Sequence, residues 1–455
     1  MADRFFSRDE AEAIARKALG FSKADDARVN INSTVTGNTR FAQNQVSTSG
    51  DTTNGTIQVT SSFGKRVAAA TTNRFDDASL RQVVETSERL ARLVPEDPEY
   101  LGELGPQQYL ESRGFHESTA NLAPEERARA VLAITRPSQQ RGLVSTGFLS
   151  HTAGSTTVAT KRGLFAYNRN SRVNLTATVR TADGTGSGWA GTAQSDWSRV
   201  DAARLAERAI RKAELSRNPQ AVEPGEWTVV LEPTAVANLV GQMVGAMNAR
   251  NADEGRSFFS RAGGGNRLGE KFLDPRVTLW SDPSDPNLAS APFSNQGLPN
   301  RRVVWVENGV LKNLNYDRFW AQKQGVQPTG GGGGGGGGAS YYMQGGNTSL
   351  EDMIASTERG LLVTRFWYIR SVDPRTILFT GLTRDGTFLI ENGKVVSAVK
   401  NLRYNESPVF MLNSIEALGE PVAVSASESG DTGAAVVVPA MKVRDFTFSS
   451  LSDAV

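Results

Sequence analysis

This sequence predicts an α+β fold, and three observations carry the prediction. Helix-period and strand-period patterns alternate through the first half, the second half breaks into short β runs joined by Asn-Gly and Asp-Gly turns, and no apolar stretch reaches bilayer-spanning length. With 455 residues the chain can build two lobes with substantial cores. The expected division is an N-terminal lobe of antiparallel sheet with helices over 1–220, read as an internal α-β-β-α duplication into units 1–110 and 111–220. A mainly antiparallel β lobe over 221–455 follows it.

Taken in order, Ser7 and Glu10 form a capping box ahead of Ala11, Ile14, Ala15, Ala18 and Leu19, which predicts a helix over 8–19. Val29, Ile31 and Val35 alternate with polar residues, as do Ile57, Val59 and Phe63, and Gly64 turns the chain into a strand over 66–69. Leu80, Val83, Val84, Leu90 and Leu93 form the expected buried stripe of a second helix over 77–93, ended by Pro95, Asp97 and Pro98. The same order then recurs: a helix from Pro124 to Ile134, strands over 142–150, 155–161 and 173–179, and a helix over 200–216. The Pro219 and Pro224-Gly225 region is the expected boundary.

Beyond it, Trp227 to Leu231 reads as a buried strand, and Thr234 is expected to cap a helix running to Ala249. The later β runs include two hairpin signals, Glu307-Asn308-Gly309-Val310 and Glu391-Asn392-Gly393-Lys394, because Asn-Gly accepts the positive φ of a type I′ turn. The expected form of this lobe is a curled sheet or barrel.

Composition removes several functions. Fifty basic against forty-eight acidic residues leave no general field for nucleic acid or an anionic membrane, and neither is expected as a partner. The absence of cysteine excludes disulfides, zinc ribbons, iron–sulfur clusters and thiol nucleophiles, and fits a reducing cytoplasm. The charged N-terminal decapeptide lacks a secretory apolar core, so the expected localisation is cytoplasmic.

Four motif-like stretches fail on chemistry. His116-Glu117 opens like a zinc motif but ends in Asn121, and His151 is the only other histidine; both read as surface or locally hydrogen-bonded groups. Gly184 to Gly188 lacks the P-loop lysine and reads as a flexible loop. Asp282-Pro283 and Asp285-Pro286 start turns rather than cage a cation. Gly330 to Gly338, nine glycines, supplies reach but no side-chain chemistry, and a weakly ordered loop is favoured over a lid.

The most informative tract runs from Thr364-Arg365-Phe366-Trp367-Tyr368-Ile369-Arg370 through Thr380-Gly381-Leu382-Thr383-Arg384-Asp385-Gly386 to Leu402-Arg403-Tyr404-Asn405-Glu406-Ser407-Pro408. With Asp253-Glu254-Gly255-Arg256-Ser257-Phe258 it resembles the C-terminal half of the TldD/PmbA family of metallopeptidases. The catalytic subunit of that family carries a helical His-Glu-x-x-x-His motif before the second signature and a cysteine ligand near its C-terminus. Counted back without gaps, the two histidines fall opposite Val240 and Gly245 and the glutamate opposite Gly241, and there is no cysteine. None of these side chains can bind zinc or activate water.

The resemblance is therefore to the TldE/PmbA type of subunit, which lacks the zinc motif. It implies no cofactor in this chain, zinc in a TldD-like homologue that would be its partner in a heterodimer or higher assembly, and processing of unfolded peptides by that complex. The alternative is a stand-alone, homodimeric peptide-binding or scaffold protein. Arg365, Tyr368, Arg370, Arg384, Arg403, Asn405 and Glu406 are the candidates for contact with peptide or partner, since guanidinium forks suit planar oxygen acceptors. The competing reading is that the arginines brace the sheet through ion pairs.

Overall fold

The computed structural model describes residues 5–288, 290–330, 340–425 and 434–452. Of the nine-glycine run only Gly330 falls within them, so the expectation of a weakly ordered loop lies outside the described residues.

In the N-terminal lobe the chain forms α1 (Arg8–Phe21), β1 (Asp26–Ala42), β2 (Gln45–Phe63), β3 (Arg66–Thr72) and α2 (Asp77–Leu93). It then forms α3 (Glu117–Ala120), α4 (Pro124–Gln140), β4 (Leu143–Thr160), β5 (Phe165–Thr181), β6 (Ser187–Gln194) and α5 (Ala202–Leu215). The capping box is real: Ser7 Oγ accepts from Glu10 N–H and Glu10 accepts from Ser7 N–H at 2.8 Å. The six strands make one antiparallel sheet in the order β3-β2-β1-β4-β5-β6. Val35 pairs with Ala153 near the middle of the β1–β4 ladder, and three strands lie to each side. A helix pair covers each half: α1 and α2 over Val29, Ile31, Ile57 and Val59, α4 and α5 over Leu149, Val173, Leu175 and Ala177.

Several sequence expectations change here. The strands expected over 142–150 and 155–161 are one continuous strand, and β1 and β2 run far beyond their alternating segments. Their Ser, Thr and Gly stretches carry no apolar alternation, and ladder bonds to flanking strands hold them extended instead. α4 continues past Ile134 to Gln140 despite Pro137, which sits in its last turn. Gly184 to Gly188 is no flexible loop: Asp183 Oδ1 accepts from Thr181, Thr185 N–H and Thr185 Oγ1, closing the β5–β6 turn.

The C-terminal lobe starts with β7 (Gly225–Leu231), α6 (Pro233–Ala246), α7 (Ala249–Asp253), β8 (Leu279–Ser281), β9 (Val303–Glu307), β10 (Val310–Leu311), α8 (Arg318–Gln324) and β11 (Tyr341–Met343). There follow α9 (Leu350–Ala355), β12 (Arg359–Val363), β13 (Phe366–Asp373), β14 (Leu378–Thr383), β15 (Thr387–Glu391), β16 (Lys394–Ala398) and β17 (Leu402–Glu406). Last come α10 (Pro408–Asn413), β18 (Ile415–Leu418), β19 (Val422–Val424), β20 (Val436–Val438) and β21 (Met441–Leu451). Both Asn-Gly hairpins form, with positive φ at Asn308, Gly309, Asn392 and Gly393.

Rather than one curled sheet, the described residues make two. One has the order β10-β9-β8-β11-β20-β19; the other has β13-β14-β17-β21-β7-β12-β15-β16 with β18 beside β21. Two pairings, β7–β12 and β11–β20, are parallel. Apolar α6 lies in the core that both sheets share, its residues Ala235, Val236, Leu239, Val240 and Met243 buried with Leu231, Leu279, Val363 and Val438.

Candidate functional site

The helix that carries the three motif positions is set by its first residues. Thr234 is not its cap. Glu232 N–H bonds to Val363 O at 3.0 Å, which holds Glu232 extended, and Pro233 then takes the first helical turn, where a missing N–H costs nothing. The Glu232 carboxylate does not cap either, because it reaches Lys212 Nζ of α5 at 2.6 Å. The helix ends at Ala246, and the expected continuation to Ala249 is a separate short helix capped by Asn248.

Val240 is fully buried in the core. Gly241 and Gly245, one turn apart, share a helix face. A Cβ at Gly241 would lie 3.4 Å from the hydroxyl of Tyr341, whereas one at Gly245 would meet nothing within 4 Å. The Tyr341 hydroxyl donates to Ala237 O at 3.2 Å, and burial raises its pKa well above the ordinary tyrosine range. A zinc ion does not fit this set of residues: valine and glycine offer no donor atom, and the nearby phenol is committed to a backbone carbonyl. Among the described residues no three His, Cys, Asp or Glu side chains stand close enough to hold a metal ion.

The seven candidate contact residues divide into two groups. Arg365 is 5% exposed and sits with Asp385 at 3.8 Å and with the rings of Trp189 and Trp367 at 4.6 and 5.3 Å. Arg384 stacks on the other side of this cluster, 5.1 Å from Trp367 and 3.9 Å from Asp385. Asp385 Oδ1 also accepts from Ser187 of β6 at 2.6 Å, so these arginines brace one lobe against the other. Glu406 is buried, accepting from the N–H groups of Ser407 and Thr447, and desolvation raises its pKa. These three act inside the molecule, and only Arg384 keeps a partly open surface.

The other four lie on the surface. β13 is an edge strand, bulged between Trp367 and Arg370 where Tyr368 takes φ 55° and is 52% exposed. The Arg370 guanidinium covers the Tyr368 ring at 4.3 Å. Through β14, Arg370 faces Thr380 and Thr380 faces Asn405, while Leu382 in the neighbouring row faces Arg403. Arg370, Arg403 and Asn405 thus share one face of the sheet near β13, its last strand among the described residues.

Sequence reasoning missed Lys212, Glu232, Asp385 and Trp189, which make the junction between lobes. Only Asp385 stood in a quoted motif. Lys212 is amphipathic-helix lysine by sequence, and nothing local announces that Glu232 will meet it.

Known proteins agree with this architecture. Models of the PmbA/TldA metallopeptidase family match domain 1 at 27–91, the central domain at 117–217 and the C-terminal domain at 224–450. The crystal structure of TldE from Thermococcus kodakarensis superposes with a TM-score of 0.82 at 20% identity, covering 96% of this chain and 99% of that one. A metalloprotease TldD homolog from Buchnera aphidicola is 24% identical over 256 residues, 53% of this chain and 52% of the relative. A metalloprotease from Methanothermobacter thermautotrophicus is 24% identical over 260 residues, 53% of each chain. The chain thus spans about half the length of the curated relatives it matches. With three consecutive domain models matched along it and a fold shared almost end to end, the chain belongs to the PmbA/TldD family.

Proposed function

We propose that this protein is a non-catalytic subunit of a TldD/TldE-type peptidase, in which a zinc-bearing homologue cleaves unfolded peptides and this chain helps form the surface that holds them. The observation that carries the reading is the occupancy of α6 by Val240, Gly241 and Gly245, with the Tyr341 hydroxyl packed where a motif glutamate would project. Further support comes from Tyr368, Arg370, Arg403 and Asn405, which stand exposed beside β13, the last strand of its sheet among the described residues, and whose guanidinium and amide groups suit the main-chain oxygens of an extended peptide. Main-chain recognition of this kind reads little sequence, which suits a processor of varied peptides.

The test is native co-purification from the source cells followed by metal analysis. A complex with a homologue carrying His-Glu-x-x-x-His, zinc in the complex and none in the isolated chain is the expected result. EDTA-sensitive proteolysis by the pure chain would overturn it, and recovery of a homodimer with no homologue would favour a stand-alone peptide-binding or scaffold protein.

A further inference from the structure

The N-terminal sheet has one long edge with no chain beside it among the described residues. β3 pairs with β2 only from Ile57 to Phe63, so the stretch from Gln45 to Thr56 has β1 on one side and no described strand on the other. Residues 45–54 are exposed on both faces of the sheet. The direction of their backbone groups follows from the ladder. Lys161 N–H bonds to Ala27 O at 2.8 Å, so odd-numbered residues of β1 bond towards β4 and even-numbered ones towards β2. Their partners on β2 are even-numbered up to the shift at Arg40, which leaves Ser49, Asp51, Thr53 and Gly55 with N–H and C=O turned outward. Among the described residues none of these eight groups, two on each of four residues, has a hydrogen-bond partner.

Nothing in the sequence of this stretch defends it. Edges are ordinarily blunted by lysine, proline or a bulge, because unpaired strand groups invite another chain. Thr48-Ser49-Gly50-Asp51-Thr52-Thr53-Asn54-Gly55-Thr56 has no lysine, arginine or proline, and its register with β1 is unbroken from Thr48 to Ser62. Its one charge, Asp51, is held by Arg127 Nη2 at 2.7 Å. The corresponding edge of the second half of the sheet is built differently. β5 lacks β6 from Phe165 to Arg172, but there Arg169 and Arg172 supply charge, and Ser171 N–H bonds to Gly114 O from the segment ahead of α3.

We propose that this β2 edge is an interface in which the same strand of a second copy of the chain pairs antiparallel, joining two N-terminal sheets into one. The strand is complementary to itself. With the two-fold axis at Thr52, Ser49 faces Gly55 and Asp51 faces Thr53 of the second copy, so all eight outward groups of each copy are bonded. Asp51 never faces Asp51, and each carboxylate keeps its own Arg127. Moving the axis one residue back sets Asp51 against Asp51. Moving it one residue forward sets Ser49 against Ile57, which β3 already holds. No residue of α6 or β13 takes part, so the proposal stands apart from the peptidase reading.

Sedimentation velocity of the intact protein across a concentration series, with single substitutions, tests it. A reversible dimer is expected, weakened by about ten-fold or more in Thr53→Pro, which removes an outward N–H and leaves the bonds of the β1 ladder in place. Since the chain has no cysteine, Thr52→Cys gives an independent readout. Its two copies face each other at about 4.5 Å between Cα atoms, within the roughly 4.4–6.8 Å that a disulfide spans. Thr52→Cys should link covalently under mild oxidation, and Asn54→Cys, opposite Gly50 of the second copy, should not. A monomer at every concentration, a dimer indifferent to Thr53→Pro, or equal linking of the two cysteine variants would overturn the proposal. So would an isolated chain that stays monomeric and pairs through this edge only with a homologous subunit.

Discussion

His151 is an imidazole buried among charges: it is 4% exposed in β4, opposite Gly37, with the Arg127 guanidinium and the Asp51 carboxylate converging on the same spot. Burial first and the Arg127 charge second push its pKa down to about 4, while Asp51 pulls weakly the other way. The unfolded chain takes up this proton near the ordinary 6.5 and the folded chain resists until about 4. Stability from this group is therefore intact above pH 6.5 and is lost as pH falls through that window, by about 3 kcal/mol in total. Urea unfolding between pH 7 and 4 should show this slope, and His151→Gln should flatten it; an unaltered slope in the variant would assign the loss to another group. Gly37 makes the cluster possible, because any side chain there would overlap His151, Arg127 and Asp51. Gly37→Ala should cost about 2–3 kcal/mol by overpacking, read from the same unfolding curves. Sequence showed His151 inside a β pattern but not its burial, since the arginine that surrounds it comes from α4.

At the scale of elements, legibility followed amphipathicity. The helix at Asp77–Leu93 was readable because Leu80, Val83 and Val84 recur at helical spacing and Pro95 follows it, but its buried stripe was not: Leu90 and Leu93 are 38% and 77% exposed, and Ser87, Glu88 and Ala91 are buried instead because they face the sheet. The 18-residue β4 was not, because Gly147, Gly154 and a run of threonines carry no alternation and are held by pairing on both sides. The α5–α6 contact shows the same limit at the site. Lys212 and Glu232 are 10% and 8% exposed at their side chains, and desolvation lowers the lysine's pKa while the carboxylate opposes that shift. Lys212→Met leaves Glu232 buried with only the more distant Arg208 at 3.5 Å, and should cost about 3–5 kcal/mol. Adding Glu232→Gln should recover most of that loss; equal destabilisation in the double variant would show that packing, not the ion pair, is at stake.

Across the whole molecule the two lobes are joined by polar contacts as well as by the chain. Ser187 meets Asp385, Lys212 meets Glu232, Arg250 meets Glu99 at 2.9 Å, Arg318 donates to Gly102 O at 2.9 Å and Arg172 donates to Ala434 O at 2.7 Å. All five involve a charged group and one, Lys212–Glu232, is buried, so opening the junction would strand that pair's charges away from their partners. Calorimetry should therefore record a single unfolding transition, and Ser187→Ala combined with Lys212→Met should split it in two. Two separate transitions in the unaltered protein would mean that the junction couples nothing.

What the sequence by itself determined is local and compositional: the α+β class, the helices with apolar residues at helical spacing, the Asn-Gly hairpins, the family, and the absence of zinc donors at Val240, Gly241 and Gly245. These depend on residue identity and short-range periodicity. Only the tertiary structure decided that Arg365, Arg384 and Glu406 turn inward while Tyr368, Arg370, Arg403 and Asn405 face outward near the last strand of the sheet among the described residues, and that Tyr341 lies against the space beside Gly241. The physical reason is that burial, and with it the partner of each charge, is set by residues a hundred or more positions away, as when Tyr341 meets Ala237 or Asp385 meets Ser187.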